Sequence, residues 1–442
     1  MGAGQRRRPG SESEGEIGMN TIVKLLQANS AVSDYKINIH RKETCELFYI
    51  HGKLETVRRA DNCEKEVTVY VDHDGCKGDA QFYVYPSTTE EQLTQRINEA
   101  VKKALLISNK AYSLPQAQTG EYTVESNFSS YEAADLAAMV SDAVFAANTL
   151  AGASLNSVEV FINKHTETVL NSRGLHETQQ RYDAMVEAIP TFNGAEQSVE
   201  LYEQYNFSQF DKDGITAEIA GKLQEVKLRF EAVTPDFPLN CKIVLNKLEL
   251  SELFWNIADD LNYSSVYSHS NLRSKGDFVQ KDPVGDKISI TMFGQIPGCV
   301  GSSRFDNDGL ALDSIRLVQD SQVINYYGSN RFGQYLEENP TGMLRCLSVD
   351  TGSADEAAFS AEPLLEIISM SGLQVDFYSD YIGGEIRLAY YHDGSKIIPV
   401  TGVSISGSLD EVLKDIRLSC KSGIYDNYQG PEKAILDHLK IF

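Results

Sequence analysis

The chain holds one tryptophan, Trp255, in 442 residues, and seven cysteines, none of them arranged as Cys-x-x-Cys. None of its eight histidines pairs with another as His-x-x-His, His-Glu-x-x-His or His-Glu-x-x-x-His. These absences remove the usual zinc-finger and metallopeptidase-helix patterns. There is no Gly-x-Gly-x-x-Gly loop, no phosphate-binding Walker loop and no Gly-x-Ser-x-Gly elbow. Apolar runs such as "ALLI" fall far short of the ~20 residues a membrane helix needs, so no membrane partner is expected. Basic residues are scarce: 40 Lys and Arg stand against 63 Asp and Glu, a net charge of −23. Such a surface repels phosphate backbones and argues against nucleic acid as a partner. The opening "MGAGQRRRPGSESEGEIG" lacks the apolar centre of a secretory signal, so residues 1–19 read as a disordered leader or tag, with Met19 as a natural start. Without a signal, an odd number of cysteines reads as reduced thiols in a cytoplasmic protein.

What is present is ordinary globular material, 42% hydrophobic and 23% charged, long enough for two or three domains. "NTIVKLLQANS" has helical spacing. The runs "YKINIH", "CELFYIHG", "KEVTVYVD" and "AQFYVYP" read as strands, with "DHDGCKGD" supplying a hairpin turn. "STTEEQLTQRINEAVKKALLI" opens on a cap-like Ser/Thr and repeats apolar residues at Leu93, Ile97, Val101 and Leu105, predicting a helix. After the linker "AYSLPQAQTG" come an Ala-rich helix, two alternating strands around 158–192, and the helix "TAEIAGKLQEVKLRFEAV". Beyond about 236, strand and turn signals dominate. The expected organisation is α+β: an N-terminal α/β domain at 20–235, with sub-parts 20–112 and 122–235, then a mainly antiparallel β domain at 236–442.

Few residues point to chemistry by themselves. His176 and Glu177 begin like a zinc helix, but Gln180 and Arg181 occupy the later positions, and a protonated guanidinium binds no Zn²⁺. The local pattern is also that of a strand. His73, Cys76, Cys45 and Cys63 match no zinc spacing and read as small buried or surface residues. "GSSRFDNDG" brings Asp306, Asn307 and Asp308 together, yet lacks the alternating ligands and final Glu of a calcium loop; it reads as an Asp/Gly turn. Arg345, in "NPTGMLRC", suits a loop salt bridge, or a grip on a carboxylate or peptide carbonyl. "ELFWNIADDLNY" reads as an amphipathic helix that sets Trp255 and Asp259 on one face.

Several stretches resemble the TldD/PmbA family, also called modulator of DNA gyrase. "SSRFDNDGLALDSIRLVQDSQVINYYGSNRFGQYL" resembles its Phe-Asp-x-(Glu/Asp)-Gly turn and following strands. Thr341, Gly342 and Arg345 fit its Thr-Gly-x-x-Arg loop. "YYHDGSKIIPVTGVSISGSLDEVLKDI" resembles its closing segment, and "VLNSRG" its Asn-Ser-x-Gly turn. The likeness spans nearly all of 20–442. It implies an N-terminal α/β part and a C-terminal part built on a large curved antiparallel sheet. It also implies a cytosolic peptidase assembly, in which TldD-type subunits hold zinc on a His-Glu-x-x-x-His helix with a late cysteine, and PmbA/TldE-type subunits lack the histidines.

In "KIVLNKLELSELFWNIADDLNY" the family's histidine slots fall around Trp255 and Asp259 or Asp260, and "LSCKSG" places Cys420 in the cysteine's segment. An indole N–H cannot ligate a metal, and two carboxylates alone suit weak Mg²⁺ or Ca²⁺ binding rather than zinc. The resemblance therefore implies a degenerate zinc site, with no catalytic residue, metal or cofactor on this chain. It implies partnership with a TldD-like zinc peptidase subunit in a heterodimer, or a homodimer, acting on an extended polypeptide. Arg345, Asp306 and Asp308 are expected near the cavity. Two alternatives stand beside this: a hydrolase with a cysteine nucleophile at Cys420 or Cys299, and a homodimeric peptide-binding protein.

Overall fold

The computed structural model describes residues 18–359 and 363–442; apart from Gly18 and Met19, the expected leader lies outside them. The first sheet has nine strands, and its centre is three long hairpin arms. Asp34–Ile50 pairs antiparallel with Lys53–His73, which pairs with Cys76–Val84. Both turns are two residues long, His51-Gly52 and Asp74-Gly75, with φ of 49° and 74°, and of 49° and 76°. Positive φ at both positions is the turn twist that long antiparallel arms require, which is why Gly ends each. On its other side Asp34–Ile50 pairs with Ala153–Asn171, which pairs with His176–Asn193. Thr119–Thr123 adds a parallel edge strand.

Side-chain alternation splits this sheet into two unlike faces. Ile37, Cys45, Leu47, Val67, Val69, Val160, Ile162 and Val186 face one way and are buried. Helices Met19–Ala28 and Glu90–Ala104 cover one end of that face, and Ala133–Ala146 and Lys212–Glu231 the other. The helix at Glu90 starts on the capping box foreseen from its sequence: Thr89 Oγ1 accepts from Gln92 N, and Gln92 Oε1 accepts from Thr89 N. The opposite face carries Asn38, His40, Asn163, His165, Glu167, Gln179, Arg181 and Asp183.

The strands from Lys242 onward form two further sheets, of nine and six strands. They are antiparallel except where Lys242–Asn246 runs parallel to Leu364–Met370 and Cys346–Val349 parallel to Tyr428–Pro431. The protein is α+β throughout. Dividing the strands lets two sheets bury their apolar faces against each other, which one open sheet of that width cannot do. Helix Lys247–Asp260 sits in that shared core: Leu250, Leu253, Phe254, Ile257 and Ala258 are sealed among Ile243 and Leu365 of one sheet and Met292 and Leu347 of the other. Among the described residues no helix is long and apolar enough to cross a membrane.

Candidate functional site

The polar face of the first sheet is roofed by two loops from the C-terminal half, and a cleft of about 340 Å³ lies between them, lined by Asn38, His40, Glu167, Arg181, Asp306 and Arg345 among others. Three larger hollows, of about 550, 560 and 390 Å³, lie beside the 73–76 hairpin, over the start of helix Ala133–Ala146 and along helix Lys212–Glu231. None gathers a comparable set of imidazole and carboxylates, so chemistry favours the smaller cleft.

Its roof is built by the "FDNDG" turn. Asp306 is buried, and its Oδ1 accepts from Asp308 N at 2.9 Å and Leu310 N at 3.0 Å, closing the turn on itself. Its Oδ2 accepts from Met343 N at 3.0 Å, which ties the turn to the Thr-Gly-x-x-Arg loop. At Gly342 φ is 75°, and a Cβ would meet Leu312 Cδ2 at 2.4 Å, so a side chain at this crossing would be strained and would displace Leu312. Burial, and then the charge of Asp308, push the Asp306 carboxyl up. Asp308 pairs with Lys36 of the first sheet at 2.5 Å. Phe305 seals the corner against Val169 and Leu175. Thus Asp306, Arg345 and Asn307 share the cleft, while Asp308 clamps its roof to the sheet. The expected loop salt bridge of Arg345 is not formed: the side chain is exposed, and its guanidinium pairs with no described residue, because Asp306 is already committed to backbone amides.

The floor of the cleft is a ladder of polar side chains. Strand register sets His40 opposite Glu167 and Glu167 opposite Gln179. His165 stands two residues from Glu167 and so points the same way. His40 Nε2 lies 2.9 Å from His165 Nδ1, and the two rings are within 8° of parallel. Glu167 accepts from Gln179 Nε2 at 2.7 Å and Arg181 Nε at 3.0 Å. Burial pushes Glu167 up, but Arg181 and Gln179 outweigh it and hold the carboxylate below its ordinary range. Asp183 is likewise held low against burial by His165, Asn163 and Arg181. Burial lowers His40, with Glu167 opposing. Gln179 also reaches the roof, accepting from Arg304 N at 2.8 Å. Sequence patterns missed this cluster, because its two imidazoles are 125 residues apart. The one local signal was His165-Thr-Glu167 on an alternating strand.

The residues of the expected degenerate zinc site stand elsewhere. Trp255 packs half-buried against the two-sheet core. Asp260 is largely buried, accepts from Leu272 N at 2.7 Å and pairs with Arg273 at 3.3 Å, and the Arg273 guanidinium lies 4.1 Å from the Phe377 ring centre. Asp259 is exposed, with partial desolvation raising its carboxyl. Cys420 is exposed in the turn before strand Ser422–Tyr425, on which the helix packs. A donor-only indole, a carboxylate already paired and a surface thiol do not fit a zinc ion.

The remaining sequence candidates are structural. His176 opens strand His176–Asn193 on the surface. Cys45 is buried under helix Ala133–Ala146, while Cys63, on the same face of the hairpin by register, is exposed; His73 Nε2 lies 3.0 Å from Ile107 O. Cys299 is fully buried beside Cys346, and that neighbour together with burial raises its thiol far above the ordinary value. The Asn-Ser-x-Gly turn is a lock: Ser172 and Arg173 bind the buried Asp34 at 2.6 and 2.8 Å, with Lys77 at 2.9 Å.

Residues 238–439 match the family described as PmbA/TldA metallopeptidase C-terminal domain. No curated protein matched by sequence. Among solved structures the chain resembles TldE from Thermococcus kodakarensis, with a TM-score of 0.78 and 13% identity over 96% of this chain and 99% of that one. It also resembles a candidate modulator of a DNA gyrase from Thermotoga maritima, at 0.74 and 15% over 96% and 99%. A third likeness is to a candidate modulator of DNA gyrase from Bacteroides thetaiotaomicron, at 0.73 and 14%, covering 96% of each chain. At these identities the structures speak for the fold.

Proposed function

The chain belongs to the TldD/PmbA family through its C-terminal domain, and from that premise we propose that it is a non-catalytic, PmbA/TldE-like subunit of a cytoplasmic zinc peptidase assembly. One observation carries the reading: helix Lys247–Asp260, where the resemblance places the family's metal, presents Trp255 to the core and spends Asp260 on Arg273 and Leu272. The peptidase mechanism needs a Lewis acid and an activated water on a rigid scaffold, and beside the indole and the paired Asp260 this helix leaves a single exposed carboxylate, Asp259, to hold an ion. The contribution left to the subunit is assembly and the holding of an extended polypeptide. Arg345, exposed and unpaired over the cleft, is the side chain for a substrate carboxylate or carbonyl.

A cysteine hydrolase is the weaker alternative. Cys299 is held protonated by its surroundings, whereas a nucleophilic thiol needs stabilisation of its anion. The test is to assay purified chain on an unfolded polypeptide, alone and with a TldD-type zinc subunit from the same cytosol. Stable association, with hydrolysis only in the mixture, is expected. Rapid hydrolysis by the chain alone, or failure of the two to associate, overturns the proposal.

A further inference from the structure

The geometry points to a second place for a metal, in a different half of the molecule: His40 Nε2, His165 Nδ1 and a carboxylate oxygen of Glu167 form a three-ligand site for a divalent transition ion of the zinc class. These three atoms lie within 4.8 Å of one another. His40 Nε2 is 2.9 Å from His165 Nδ1 and 3.9 Å from Glu167 Oε1. A tetrahedral ion with bonds of ~2.1 Å holds its ligands about 3.4 Å apart. The imidazoles therefore part by about half an ångström and the carboxylate closes on His40 by about as much. Among the described residues it is the one grouping of three such donors.

Two features separate this grouping from a chance meeting of polar side chains. The first is the outer layer. His165 is buried, and its far nitrogen, Nε2, lies 2.7 Å from Asp183 Oδ2. That contact is close but off the line of a formed hydrogen bond, so a buried ring nitrogen is left without an aligned partner. A proton on Nε2 leaves Nδ1 as the acceptor in its 2.9 Å contact with His40 Nε2. A small turn of the ring onto Asp183 completes the carboxylate–histidine arrangement that fixes a metal-binding tautomer. Asp183 is anchored by Asn163 at 2.7 Å and Arg181 at 3.1 Å, and Glu167 by Gln179 and Arg181.

The second feature is access. His40 is half-exposed and Glu167 partly so, and both line the cleft under Arg345. An ion held by three protein ligands would have its fourth position open to that cleft. Two imidazoles and one carboxylate select zinc, cobalt or nickel over magnesium.

The inference goes beyond the subunit reading and does not depend on it, because it uses none of the residues of helix Lys247–Asp260. Metal-free full-length protein is titrated with Co²⁺ and Zn²⁺, and with Mg²⁺ as the counter-probe, by calorimetry and by the visible spectrum of bound Co²⁺. One equivalent of Co²⁺ or Zn²⁺ is expected, with no binding of Mg²⁺. His40→Ala and Glu167→Gln are chosen because both side chains reach solvent, so the sheet survives their change. Each is expected to weaken binding at least 100-fold while the metal-free protein still unfolds in one cooperative transition. Asp183→Asn, outside the ligand set, is expected to weaken it about 10-fold. No binding above background, or binding that survives His40→Ala and Glu167→Gln unchanged, overturns the inference and leaves the subunit proposal standing.

Discussion

Glu249 offers the sharpest check on how the core of the C-terminal half is built. It lies in the first turn of helix Lys247–Asp260, is 1% exposed, and its Oε2 meets no partner. A helix N-terminus favours a charged carboxylate, and its own amide and that of Asn246 pull the same way. Burial wins, lifting the carboxyl from its ordinary 4.5 to about 8. The folded chain thus keeps a proton that the unfolded chain has lost. Stability from this group is complete below pH 4.5 and drains away as pH rises to about 8. At about 1.4 kcal/mol per pH step, that interval sets a ceiling of about 5 kcal/mol. Glu249→Gln removes the titration. Its amide leaves a buried N–H short of an acceptor, a fixed penalty of about 1–3 kcal/mol at every pH. Urea unfolding of both proteins at pH 5, 7 and 8.5 separates slope from offset. The variant is expected to gain on the parent by several kcal/mol between pH 5 and 8.5. Parallel stability profiles would refute the neutral buried carboxyl and the packing that creates it.

Four further outcomes follow from the geometry. Asp306→Asn sets an amide donor against Met343 N or against the Asp308 and Leu310 amides; a loss of about 2–3 kcal/mol is expected, with faster hydrogen exchange at Met343, and an unchanged melting temperature refutes it. Asp260→Ala strands the largely buried Arg273 and is expected to cost about 3 kcal/mol in denaturant unfolding, without altering zinc content. Arg345→Ala is expected to leave stability within about 0.5 kcal/mol and to weaken capture of an unfolded polypeptide at least tenfold by fluorescence anisotropy; unchanged affinity removes Arg345 from the site. Iodoacetamide is expected to label exposed Cys420 in the folded protein and buried Cys299 only after unfolding. Prompt labelling of Cys299 revives the nucleophile reading.

How much of this was readable from the chain depends on the element. The middle of helix Lys247–Asp260 was legible in "ELFWNIADDLNY" because Leu253, Phe254 and Ile257 fall at helical spacing, whereas its earlier start on the Asn246 cap and its end at Asp260 were not. The Asp74-Gly75 turn was legible because positive φ has a residue signature. The pairing of Asp260 was not, since Arg273 comes forward only through a loop that has no periodicity. Nor was the bond from Asp306 to Met343, because a backbone amide 37 residues away leaves no mark on residue choice. Composition could not announce that the later strands divide into two sheets, because parallel and antiparallel neighbours draw on the same apolar residues.

The His40 cluster shows the same limit in sharper form. Motif searches find metal sites on helices because one helix can offer two ligands on consecutive turns, a spacing of three or four residues. A sheet assembles the same donors across strands, where neighbours in space are set by register and not by sequence distance. Here the register of Asp34–Ile50 against Ala153–Asn171 sets His40 beside Glu167. Slipping Asp34–Ile50 by one residue would turn His40 into the helix-covered core and away from His165 and Glu167. The 17-residue and 19-residue arms that fix the register are therefore part of the site, even though most of their residues never touch it. If a metal binds there, it should stiffen those arms first. Hydrogen exchange along residues 36–44 and 163–171 should slow on adding Co²⁺ or Zn²⁺, while helix Lys247–Asp260 stays as it was. Protection that appears on the helix instead would place the ion where Trp255 and Asp260 leave it no ligands.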